Sequence, residues 1–193
     1  MTHARSTFDS QSDAAPALAG YTRTAVSLHW TIAALIVSAF ALGWVMTELA
    51  ISPLKVKMFN WHKWVGMTVL GLAALRTIWR LTHVAPPLLP MPAWQRVSAH
   101  ALHAVLYFLM FALPLSGWAY SNATGYPIAY LGLWRLPDLV AKDKELASQL
   151  VEVHEILGWL LVAVVVVHIL AALKHHFFDK DDTLRRMLRW RSA

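Results

Sequence analysis

Four histidines, His29, His62, His154 and His168, each sit within an apolar stretch long enough to cross a membrane. An imidazole placed in hydrocarbon is costly unless something binds it, so the set reads as ligands for a metal-bearing cofactor. His154 and His168 are fourteen residues apart, close to four helical turns. That spacing projects both rings from nearly one face of a helix, about 21 Å apart along its axis. With no cysteine in the chain, disulfides, thiolate iron–sulfur clusters and thioether-linked haem are all excluded, which leaves His, Met and carboxylate as ligands.

The elements that hold those rings follow from composition. The chain has 193 residues, of which 58% are hydrophobic and 15% charged, with ten Trp and seven Met, so it belongs in a bilayer. Residues 25–46 carry no formal charge over 22 positions, close to the roughly 20 that span a hydrocarbon core as helix. Residues 61–81 are apolar in the middle, with Lys63 near one end and Arg76 and Arg80 near the other, where long cations reach back to the interfaces. Residues 99–120 are again free of charge, and Pro114 is expected to kink this helix rather than end it. Residues 121–153 form the longest connection, in which LVAKDKELASQLVE reads as a short interfacial helix. Residues 154–176 then make a fourth span. The expected fold is all-α: an integral membrane four-helix bundle over residues 25–176, between tails at 1–24 and 177–193. Residues 1–24 show no apolar core ahead of a small-residue cleavage site, so no cleavable signal peptide is expected and the first span should remain as an anchor.

An even number of spans places both termini on one side. That side holds 11 of the 17 Lys and Arg residues, which marks it as cytoplasmic. The tail TLRRMLRWRS reads as a basic segment against anionic lipid rather than a nucleic-acid site. His29 lies near the start of the first helix, entering from the cytoplasm, and His62 near the start of the second, entering from outside. Alternating directions then bring His168 level with His29, and His154 level with His62. Two ligand pairs on separate helices at two depths suit two large planar cofactors better than one tetrahedral ion, and predict two haems.

A porphyrin lying against a helix needs small residues one turn from its ligand. Gly66 and Gly158 follow His62 and His154 by four residues, Ala25 and Ala33 flank His29, and Ala172 follows His168. The bland alternative for any single histidine is a hydrogen bond to a neighbouring helix. His100 and His103 share a face at the start of the third helix, and His175 and His176 close the fourth; a polar interfacial role is the default for all four. Arg76 and Arg80 either pair with haem propionates or snorkel to lipid phosphate. Trp30, Trp61, Trp64, Trp118, Trp134 and Trp159 fall where an aromatic belt is expected.

SLHW near the N-terminus, NWHKWVG, the paired histidines of AHALH, VHEILG and VHILAALKHHF together resemble the bacterial cytochrome b561 family, which includes cytochrome b subunits of hydrogenases. The resemblance runs from about Tyr21 to Trp190. It implies a multi-pass protein of the bacterial inner membrane with His29 and His168 on a cytoplasmic haem b, and His62 and His154 on an outer one. Some members similar to this chain are superoxide oxidases, passing an electron from superoxide outside to ubiquinone near the cytoplasmic side. In those the first histidine of the final pair lies by the quinone, a position that falls here on His175.

The expected function is therefore single-electron transfer across the membrane, with superoxide as donor and ubiquinone as acceptor. The segment LKVKMFNWHK offers Lys55, Lys57 and Lys63 around His62 with no acid inside it, a local attraction for a small anion. Across the outer segments six basic residues face six acidic ones, so no strong global field is expected. The alternatives are a membrane anchor and quinone relay for a dehydrogenase or hydrogenase partner, and a haem-free His-rich transporter.

Overall fold

The computed structural model describes residues 20–87 and 89–188. Four long helices dominate: α1 (Arg23–Glu48), α2 (Pro53–Thr82), α3 (Ala93–Ala123) and α4 (Lys144–Phe177). A small antiparallel hairpin, β1 (Ala129–Tyr130) and β2 (Trp134–Arg135), lies between α3 and α4, and a single turn, α5 (Arg185–Leu188), follows α4. α1 packs along α2 and α3 along α4, with α2 bridging the two hairpins. The α1–α2 turn and the β-hairpin mark one end of the molecule, called here the hairpin end. The start of α1 and the end of α4 mark the other, the termini end.

Three helices, α1, α3 and α4, are long and apolar enough to cross a membrane. α2 falls short of the same standard because Lys55, Lys57, Asn60 and Lys63 at its start and Arg76 and Arg80 near its end dilute its apolar centre. Its middle is nevertheless the heart of the packing. Val69 and Ala73 of α2 are buried against Ile32 of α1 and Met110 of α3, with Leu35, Ile36, Leu72, Tyr107 and Phe111 around them. Large apolar residues also cover the outside, among them Val37, Ile78, Phe108, Ile156 and Val167. Helices that are apolar all round fit lipid rather than water.

All three later helix starts precede the sequence expectation, α3 beginning at Ala93 rather than at residue 99. α2 begins at Pro53, eight residues before the expected start, because Ser52 caps it by accepting from the Lys55 amide and Pro53 is preset for the first turn. LKVKMFNWHK is therefore helix, not loop. LVAKDKELASQLVE is not a separate interfacial helix either. Asp143 caps α4, accepting from the amides of Glu145 and Leu146, and no Gly or Pro interrupts the chain before Gly158, so α4 runs unbroken through the expected boundary. α3 continues through Pro114, as expected.

The long connection is tied down at the hairpin end. Trp64 Nε1 donates to the Ala129 carbonyl at 2.7 Å, Trp118 Nε1 to Pro137 at 3.1 Å, and Lys63 Nζ to Tyr126 at 3.1 Å. The tryptophans there act as loop fasteners. Asn122, only 4% exposed, donates to Asp138 Oδ1 at 2.8 Å and accepts from the Leu139 amide at 3.0 Å. Replacing Asn122 with Ala leaves a buried amide and a carboxylate short of a partner. The expected loss is about 1–3 kcal/mol, read as a lower Tm in detergent. Arg135→Ala, which breaks only the exposed Arg135–Asp138 pair, is expected to cost about 0–1 kcal/mol.

Candidate functional site

The structure brings the four histidines together as two pairs. The His29 and His168 rings, from α1 and α4, have centroids 6.2 Å apart and planes 72° apart at the termini end. The His62 and His154 rings, from α2 and α4, are 6.0 Å and 81° apart at the hairpin end. An imidazole nitrogen binds a metal at about 2.0–2.1 Å, with the ring centre roughly 1.1 Å behind it, so two axial imidazoles on one ion put their centroids about 6 Å apart. Both pairs meet that requirement. A tetrahedral ion would need further donors at each pair, and among the described residues the one cluster of three metal-binding side chains is elsewhere, at His175, Asp179 and Asp181. A Cβ built on Gly66 or Gly158 meets no atom within 4 Å, so the helix surface one turn from each hairpin-end ligand is open to a flat ring. The donor set and its spacing fit two bis-imidazole haems.

The hairpin-end histidines are oriented by backbone. His62 Nδ1 lies 2.9 Å from the Ala39 carbonyl of α1, and His154 Nδ1 lies 3.1 Å from the Leu113 carbonyl of α3. A carbonyl can only accept, so each Nδ1 carries the proton and each Nε2 keeps a free lone pair for a metal. Ser116 Oγ, 3.0 Å from His154 Nδ1, itself donates to the Leu113 carbonyl at 2.8 Å. Sequence reading missed these acceptors, because any helical residue offers a carbonyl. The available signal was the recurrence of Gly-Trp one turn later, in FALGW and PLSGW.

His103 was expected to be interfacial. Instead its ring centroid lies 5.4 Å from that of His168, with Nδ1 2.7 Å from the Ala99 carbonyl, so it flanks the termini-end pair. Arg76 donates to the Ala25 carbonyl at 2.9 Å and, with Arg80, Trp79, His83 and Tyr107, lines a cavity of about 50 Å³ beside that pair. α5 folds back onto the same end. Trp30 Nε1 donates to the Met187 carbonyl at 2.8 Å and Arg186 to that of Pro87 at 2.8 Å. The start of the basic tail is therefore docked on protein, while Arg189 and Arg191 lie outside the described residues.

His175 closes α4 with its Nδ1 2.8 Å from Asp179 Oδ2 and 3.0 Å from Asp181 Oδ2. Lys174 Nζ is 2.6 Å from the same Asp179 oxygen. These carboxylates were not singled out in the sequence; the signal was their position just past the end of a helix whose last turn is basic. Of the predicted lysines, Lys55 is committed to the C-terminal carbonyls of α1, donating to Leu49 at 2.7 Å, whereas Lys57 is exposed.

The profile of the family described as prokaryotic cytochrome b561 matches residues 20–190. Cytochrome b561 homolog 2 of Escherichia coli (strain K12) is 37% identical over 166 residues, covering 84% of this chain and 87% of that one. A probable superoxide oxidase, CybB of Yersinia pestis, is 32% identical over 174 residues, covering 87% and 95%. Cytochrome b561 homolog 1 of Escherichia coli (strain K12) is 30% identical over 176 residues, covering 87% and 96%.

The hydrogen bond from Lys174, followed by that cation's field and by His175, holds the Asp179 carboxyl below the usual carboxylate range. A lowered folded-state value means the stabilisation is present at neutral pH and lost as the pH falls through that value. Asp179→Asn is therefore expected to lower the Tm slightly at neutral pH, with the difference from wild type shrinking as the pH falls below about 4. A gap that persists in acid would assign the effect to packing instead.

Proposed function

As the chain belongs to the prokaryotic cytochrome b561 family, membrane proteins of haem b electron transfer, we propose that it is a four-transmembrane-helix di-haem cytochrome acting as a superoxide:ubiquinone oxidoreductase. The observation that carries this reading is the pair of histidine pairs, 6.2 Å and 6.0 Å between centroids, at opposite ends of the helices. On this reading His29 and His168 hold an inner haem b, and His62 and His154 an outer one. Haem b bound at both pairs supplies reversible one-electron chemistry at two depths of the membrane. The termini end faces the cytoplasm of a bacterial inner membrane, which agrees with its larger share of cations. The Yersinia pestis relative, named a probable superoxide oxidase, supports superoxide as the donor.

The chain's own residues do the rest. The Ala39 and Leu113 carbonyls hold the proton on Nδ1 of His62 and His154, which leaves the Nε2 lone pair of each free for a metal. Arg76 and Arg80 place positive charge and donors beside the inner pair, where haem propionates would need neutralising. His175, backed by Asp179 and Asp181 at the cytoplasmic end of α4, is placed to hydrogen-bond a quinone carbonyl and deliver a proton to it. At the outer face Lys57 is the exposed cation nearest in sequence to His62, while Lys55 acts mainly by capping α1.

The reading is tested on detergent-purified protein supplied with ubiquinone and a superoxide generator, with and without superoxide dismutase. Quinone reduction abolished by the dismutase is the expected result. Haem that stays oxidised while quinone is unreduced would move the donor to a protein partner such as a dehydrogenase. His175→Ala is expected to slow quinone reduction with both haem spectra intact, whereas loss of a haem would make His175 structural. Lys57→Ala is expected to slow superoxide-driven haem reduction modestly and flatten its salt dependence.

A further inference from the structure

The outer ligands are held by the same device twice. In the α1–α2 hairpin, α1 offers the Ala39 carbonyl to His62, and Gly43 follows that carbonyl by four residues. In the α3–α4 hairpin, α3 offers the Leu113 carbonyl to His154, and Gly117 follows it by four residues. A helical Cβ tilts toward the N-terminus, so the side chain at one position overhangs the carbonyl one turn earlier. Glycine at these two positions uncovers the acceptor. The margin is small. A Cβ at Gly117 would sit 2.8 Å from His154 Cε1 and 3.1 Å from its Nδ1, and one at Gly43 would sit 3.3 Å from His62 Cε1 and 3.5 Å from its Nδ1. By contrast Gly71, exposed on α2, would meet nothing within 4 Å.

The inner pair has no counterpart. Among the described residues neither His29 nor His168 makes a hydrogen bond through its ring nitrogens. A hydrogen bond from Nδ1–H to a carbonyl raises the basicity of Nε2, and a more strongly donating ligand favours the oxidised metal. The two pairs are thus chemically unequal although both consist of two histidines.

We propose that Gly43 and Gly117 are positioning residues: they admit His62 and His154 onto the Ala39 and Leu113 carbonyls and thereby make the outer centre the lower-potential one. An electron arriving at the outer face then moves downhill toward the inner pair. This rests on the haem reading above, and the experiment separates the two. Haem content and a redox titration are measured on wild type, Gly43→Ala, Gly117→Ala, Ser116→Ala and Gly71→Ala, with His29→Ala used to identify the outer centre by removing the inner one.

Wild type without haem b would sink the haem reading itself. Given two haems in wild type, Gly117→Ala is expected to lose the outer haem or turn it high-spin while the inner spectrum persists. Gly43→Ala, with the milder contact, is expected to keep both haems and raise only the outer potential. Ser116→Ala is expected to shift the same centre, and Gly71→Ala neither. The inference is overturned if Gly43→Ala and Gly117→Ala leave the outer spectrum and potential unchanged. It is equally overturned if the outer centre of wild type titrates at the higher potential. Should Gly117→Ala fail to assemble, the Gly43 and Ser116 variants still decide the matter.

Discussion

An imidazole in an apolar interior must have both of its nitrogens accounted for, and the arrangement of this protein follows from that constraint. Water is not available in a hydrocarbon slab to satisfy a stray donor or acceptor. At the hairpin end the chain satisfies one nitrogen of His62 and one of His154 with helix carbonyls, which leaves one nitrogen of each facing its partner ring. The Ala39 carbonyl has two lone pairs and can accept from His62 beside its own helical bond, whereas the Leu113 carbonyl shares its acceptance between Ser116 Oγ and His154. The helices must then approach within a ring's width at these levels, and small residues are the means by which they do.

The two hairpins solve this in the same way, while the two ends of the molecule do not. At the hairpin end α1 and α3 run in one direction and supply acceptors; α2 and α4 run back and supply the histidines. At the termini end the surroundings change from backbone dipoles to cationic and aromatic side chains: His103 lies against His168, and Arg76, which is bonded to the Ala25 carbonyl one turn before His29, lines a cavity with Trp79 and Arg80. One end orients its histidines through carbonyls, and the other surrounds them with donors suited to anionic groups. α4, the longest helix, alone carries a paired histidine at each end, and Leu161 is its one buried residue.

The pairing of the histidines was legible in the sequence because depth in a membrane is a one-dimensional coordinate: alternating spans of known length fix which residues are level. The helix starts were less so. Ser52, Pro53 and Asp143 are recognisable caps, but they lie in polar stretches outside the apolar windows, and a reading guided by hydropathy stops at the window's edge. The acceptor carbonyls were invisible because they belong to the backbone. His103 was misplaced for a related reason. Proximity to the chain's polar entry into α3 argued for an interface, whereas α3 begins at Ala93 and has already made more than two turns before His103.

The distribution of charge bears on how a small anion could be selected at the outer face. Six cations there meet six acids, and several of the cations are already spent on backbone or carboxylate partners: Lys55 on Leu49, Lys63 on Tyr126 and Arg135 on Asp138. What remains acts over about a Debye length of 8 Å at physiological salt. A field that short cannot gather substrate from a distance; it can only favour an anion already near the rim of the outer site. On the superoxide oxidase reading, selectivity at that face therefore rests on which molecules can reach the hairpin-end pair past the fastened connection, with Lys57 adding a local bias. A neutral donor of the same size would meet the same opening without that bias, and a protein donor would have to contact the hairpin and its tryptophan fasteners directly.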